Sequence, residues 1–177
     1  MPITMTVKKG GGSGNFKPGW SEATVTKAKY GSLENGSKFI DVWFDGYPDS
    51  FNMRMYAKKS KAGEEFAIAN LFRFAQAGIT EVVDSASDNE VVVKIDDSAE
   101  QLIGKKFNIF LYKNSDGYYR VLQRIAPVEG ENTLDTFTEN DVNYWKGRAE
   151  SYFKEWVEPN IESSVADKVE GNNDMPF

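Results

Sequence analysis

The stretch from Ser37 to Lys61, SKFIDVWFDGYPDSFNMRMYAKKSK, holds two runs of alternating side chains separated by a reversal, and few folds accommodate that pattern. Successive side chains of a strand point to opposite faces. In the first run Ile40, Val42 and Phe44 therefore share one face, with Phe39, Asp41, Trp43 and Asp45 on the other. In the second, Phe51, Met53, Met55 and Ala57 oppose Asn52, Arg54, Tyr56 and Lys58. Gly46 and Pro48, inside Asp45 to Asp49, interrupt both runs and supply the turn of a hairpin. One face reads as core. The other mixes rings with cations, as the stacking and phosphate contacts of single-stranded nucleic acid require. A sheet covered on both faces carries the same residue types, so the hairpin alone leaves both readings open.

The 177 residues fit one compact domain with appendages, and a 40% hydrophobic share with 14% aromatics is enough for a core. No apolar run approaches the roughly 20 residues that span a bilayer, and the first residues lack a signal-peptide stretch, so a soluble cytosolic protein with no membrane partner is expected. The absence of Cys and His excludes disulfides, thiolate zinc sites and Ser-His-Asp or Cys-His catalysis. The net charge of −6 is unevenly spread. Residues 1–128 carry 17 basic and 15 acidic side chains (+2), and residues 129–177 carry 4 and 12 (−8). Such asymmetry marks an interaction tail or a solvated terminus.

Residues 1–19, with Gly10, Gly11, Gly12 and Gly14 among Lys8, Lys9 and Lys17, read as a flexible arm. They lack the Gly-Lys-Ser/Thr of a phosphate loop. Trp20 to Tyr30 alternates imperfectly and favours a strand, and Gly31 to Gly36 turns it into the central hairpin. Gly63 to Gly78 predicts a helix, with Glu64 and Glu65 in its first turn and an apolar surface that plugs a barrel. Glu90 to Ile95 suggests a short strand and Ser98 to Ile103 a helical turn, with Asp96 and Asp97 read as its cap in preference to a magnesium site. Lys105 to Lys113 and Tyr118 to Ala126 form two more strands about Asn-Ser-Asp-Gly. Three strands, a helix, an insertion and two strands give the order of a five-stranded OB-fold barrel, a mainly β fold that spans residues 20–128. Residues 129–157 form a connection and a C-terminal helix, capped by Thr138 with Asp141 and ended by Pro159. Its stripe of Val142, Trp145, Ala149, Tyr152 or Phe153, and Trp156 packs on the barrel or on a second copy in a homodimer. Residues 158–177 are polar and acidic and are expected to be disordered.

The last residues, Asp174, Met175, Pro176 and Phe177, place an acid and an aromatic on that tail, which fits a partner pocket with an apolar hole and a basic rim. This acid-x-Pro-Phe ending resembles the tails of bacterial and phage single-stranded DNA-binding proteins. The body, through GWSEATVTKAKYGSLENGSKFIDVWFDGYPDSFNMRMYAK, EEFAIANLFRFAQAGI, IDDSAEQLIGKKFNIFLYK and FTENDVNYWKGRAESYF, is similar to tailed-phage single-stranded DNA-binding proteins with an OB-fold. The resemblance implies coating and protection of single strands without sequence preference in phage DNA replication and recombination, in the cytoplasm of the infected host. It also implies no cofactor, no enzymatic activity, and recruitment of replication, recombination or repair proteins by the tip.

On the faces drawn above, Phe39, Trp43, Tyr56, Tyr112 and Tyr118 are the candidate base-stacking residues. Lys27, Lys29, Arg54, Lys58, Lys59, Lys61, Lys105, Arg120 and Arg124 are the candidate phosphate contacts. Three alternatives stand beside single-strand coating. One is an adaptor that binds protein through the same hairpin, and another a strand-annealing recombination protein. The third is a magnesium-dependent nuclease using Asp84, Asp88, Glu90, Asp96 and Asp97, which loop solvation explains with less.

Overall fold

The structure, a computed structural model, describes residues 3–4, 16–84, 90–130 and 136–161. It is mainly β, as expected. Strands β1 (Gly19–Ser32), β2 (Lys38–Phe44), β3 (Asn52–Tyr56), β6 (Lys106–Lys113) and β7 (Tyr119–Val121) form one antiparallel sheet in the order β3-β2-β1-β6-β7. The sheet curls into a nearly closed, OB-like barrel. Strand β1 is the hinge of this arrangement: Gly19 to Thr24 pair with β6, and Val25 to Ser32 pair with β2. The register shifts between Val25 and Lys27, which leaves Thr26 as an extra residue. Such a bulge bends a strand and resets its alternation. Ala23 and Val25 point inward before it, whereas Ala28 and Tyr30 pack toward the core after it. The imperfect alternation of this stretch in the sequence is that bulge.

Phe72, Phe107, Ile40, Met53, Leu71 and Leu111 are among the fully buried side chains of a single core. Helix α1 (Ala67–Phe74) contributes Ile68, Leu71, Phe72 and Phe74 to it. The helix is shorter than the predicted Gly63 to Gly78. Glu65 lies before it and caps it, its carboxylate accepting N–H bonds of 2.8–2.9 Å from Lys58, Ala67, Ile68 and Ala69. Three orphan donors of the first turn are thereby satisfied by one side chain.

The insertion is a separate two-stranded sheet of β4 (Ile79–Asp84) and β5 (Val91–Ile95). Strand β4 was not anticipated. Asp96 stands just before the short 3-10 turn Ala99–Leu102 and accepts from the Ser98 N–H and O–H and from the Gln101 side-chain amide. Among the described residues no side chain bonds the backbone N–H groups of the turn itself, so the cap expected of Asp96 and Asp97 is not formed. Among the described residues no cluster of three acidic or other ligating side chains is placed to hold a metal ion.

Helix α2 (Glu139–Tyr152) starts at the expected capping box, with the Thr138 hydroxyl accepting from the Asp141 N–H and the Asp141 carboxylate accepting from the Thr138 N–H. Pro159 does not end it. The helix passes through a π-helical turn at Phe153–Val157 and continues to Ile161. A proline clashes with the carbonyl four residues earlier and has no N–H to offer it, and a wider turn at that point accommodates both effects. Among the described residues no helix is long and apolar enough to cross a membrane.

Candidate nucleic-acid interface

The outer surface of the barrel divides into two halves. Over β1 and β6, α2 and its extension cover the sheet. The Trp20 indole N–H donates to Glu150 at 3.3 Å, and Phe153 packs on Phe110 and Tyr112 with ring centroids 5.0 and 5.3 Å apart. Over the β1–β2–β3 half, Lys27 and Lys29 are exposed and Trp43 and Tyr56 half-buried, so among the described residues nothing fully covers the sheet. Register places three cross-strand rows there, Lys27–Trp43–Asn52, Lys29–Asp41–Arg54 and Gly31–Phe39–Tyr56. Directly opposed residues share a face, so six of the candidate residues stand together.

Their geometry is tighter than the alternation suggested. Phe39 faces outward but is buried at 8% exposure, beneath the Arg54 guanidinium at 3.8 Å from its ring and edge-on to Tyr56. Gly31 makes this possible, because a Cβ there would lie 2.6 Å from the Phe39 ring. Arg54 is not a free cation either. Its Nε and Nη2 donate to the two carboxylate oxygens of buried Asp41 at 2.8 and 2.9 Å, and that pairing holds the guanidinium pKa above its ordinary value. Trp43 is half-buried, with its indole N–H donating to the Asp49 carbonyl at 2.9 Å and Lys27 standing 4.6 Å over the ring. Tyr56 is half-buried, and Lys27 and Lys29 are exposed. The face therefore presents Trp43 and Tyr56 as rings and Lys27 and Lys29 as charges, over a fixed layer of Phe39, Arg54 and Asp41.

The remaining candidates are dispersed. Tyr112 shares a row with Arg120 on the β6–β7 half, where Phe153 covers its ring and burial pushes its phenol pKa up. It therefore stands apart from the rings of the β1–β2–β3 face. Tyr118 is 69% exposed at the β6–β7 turn, and Arg120 is paired with Asp116 at 2.8 Å. Lys59 and Lys61 are exposed beyond β3, and Lys105 is exposed beside the bulge, its carbonyl accepting from the Val25 N–H at 2.9 Å. Lys58 follows β3 at its free edge, where burial and then the charge of Arg124 lower its pKa. The tip residues Asp174 to Phe177, most of the Gly-rich arm and Asp88 lie outside the described residues. The arm's last part is anchored, with Phe16 packing against Tyr47, Phe51 and Tyr119 at 5.0–5.3 Å.

Beyond that edge lies a groove of about 810 Å³ that sequence reasoning missed. Met55 of β3, Ile125, and residues of α1 and α2 line it. Trp156, which was expected to pack, is 60% exposed there, and Tyr144 is 56% exposed. The signal lay in the spacing Tyr144, Arg148, Tyr152, Trp156, one helix face at intervals of four. No protein-family model matches the chain, and no curated protein matches it.

Proposed function

We propose that the protein binds single-stranded DNA without base-sequence preference on the uncovered β1–β2–β3 face. The observation that carries this reading is the open Lys27–Trp43–Asn52 row beside exposed Lys29 and half-buried Tyr56. Rings at the level of the sheet accept any base by stacking, and lysines beside them accept phosphate without reading sequence. The resemblance of body and tail to tailed-phage single-stranded DNA-binding proteins supports a role in coating strands during phage replication and recombination. In this reading Asp174 to Phe177 recruit replication, recombination or repair proteins, and no catalytic step is involved.

A fluorescent dT oligonucleotide titrated across a salt series tests it. Affinity is expected to fall with salt by a log–log slope of about 0.7 per phosphate contacted. Trp43→Ala is expected to weaken binding by about 1–3 kcal/mol. No binding at low salt, by either the full chain or one lacking residues 168–177, would leave the barrel as an adaptor fold.

A further inference from the structure

The groove between α1 and α2 combines features that core packing does not require. On the helix that supplies Trp145 to Phe74 and Phe153 to Phe110, two further rings, Trp156 and Tyr144, are left more than half exposed. Two arginines lie against rings in the same groove. The Arg124 guanidinium is 4.2 Å over Tyr152, while Arg148 is 5.8 Å from the Tyr144 ring and donates to its hydroxyl at 3.2 Å. Among the described residues neither forms an ion pair, and Glu155 is the one acid lining the groove. Arg124 donates from Nη1 to the Gln123 carbonyl at 3.2 Å, as Arg148 does to Tyr144, and the other N–H groups of each guanidinium's fork suit an anion. Lys58, two residues beyond β3, feels the like charge of Arg124, which lines the groove, and a phosphate near both relieves that repulsion. The volume, about 810 Å³, is within the roughly 300–1,000 Å³ of ligand sites.

We propose that this groove is a second seat for single-stranded nucleic acid, reached from the β1–β2–β3 face across Lys58 and Arg124. Bases stack on Trp156 and Tyr144 while Arg124 and Arg148 hold the phosphates. The inference rests on the function proposed above and extends the strand path beyond the sheet. The open edge of β3 is thus a crossing point, and the helix α2 is part of the binding surface as well as a cover for β6.

Full-length protein labelled with 5-fluorotryptophan tests this by 19F NMR, since its tryptophans, Trp20, Trp43, Trp145 and Trp156, report on separate places. A dT oligonucleotide of about 16 nucleotides is expected to shift the Trp43 and Trp156 lines, and one of about 4 nucleotides the Trp43 line alone. The double variant Trp156→Ala, Arg148→Ala is expected to lose about 10-fold or more in affinity for the longer oligonucleotide and none for the shorter. It also loses part of its salt slope. A Trp156 line that stays fixed while Trp43 shifts, with equal affinities for both proteins, would overturn the groove and leave the sheet face standing. Failure of both oligonucleotides to bind would overturn both. A Trp156 shift caused by a peptide of residues 168–177, and by neither oligonucleotide, would reassign the groove to an acidic peptide and overturn the proposal.

Discussion

Arg54 commits its guanidinium to its neighbours, clamped by Asp41 and laid on Phe39 at the surface, whereas Lys29 in the same register row keeps its charge in solvent. The two cations are therefore expected to respond oppositely to truncation. Arg54→Ala uncovers Phe39 and strands Asp41, lowering the urea midpoint. Lys29→Ala leaves the midpoint unchanged and reduces the salt slope of dT binding by about 0.7. Glu65 is a third case, since one carboxylate serves four backbone donors. Glu65→Ala should cost about 1–3 kcal/mol of stability, measured by urea denaturation with an unchanged slope. Asp96 sets a pH dependence. Its hydrogen bonds from Ser98, side chain first, and from Gln101 hold its pKa below the ordinary 3.8. A lowered folded pKa means that the unfolded chain takes the proton first, so the contribution is complete above 3.8 and is lost as pH falls through the folded value. Asp96→Asn is expected to flatten the acid side of the stability–pH curve, and a curve parallel to the wild type would remove this role.

At the scale of elements, alternation made the hairpin of β2 and β3 and the strand β6 legible, because period two is preserved along each. Strand β4 was not legible. Its Val82 and Val83 are adjacent, and it belongs to a ribbon whose Val91 and Val92 stay exposed, so no buried face imposes a pattern. The direction of Phe39 was legible but its burial was not, since its cover comes from Arg54 on β3 and its space from Gly31 on β1. The capping box of α2 could be read because it is local; Thr138→Ala should cost about 1 kcal/mol in thermal or urea unfolding. The passage of the helix through Pro159 could not, because the π turn that makes room for it has no signature of its own in the side chains. The candidate interface was half legible for the same reason. Residues on one strand were placed correctly relative to one another, while the helix that covers Tyr112 and builds the groove arrives from far along the chain.

For the molecule as a whole, the −8 carried by residues 129–177 stands against lysines on an otherwise near-neutral body. Deletion of residues 162–177, which carry four acidic side chains and one basic (−3), is expected to tighten dT binding at low salt and to have little effect at high salt, where charges more than about 8 Å apart are screened. Equal affinity at both salts would remove self-competition by the tail. The bulged strand β1 also orders events in time. Its second half meets β2 almost at once, as Tyr30 pairs with Ile40, but Ala23 in its first half must wait for Phe107. During synthesis at roughly 5–20 residues per second, that wait is on the order of several seconds. A nascent three-stranded meander then leaves one raw edge of β1 open to pairing with other chains until β6 emerges, so the exposure of this protein to misassembly is set by the length of chain between the two partners of one strand.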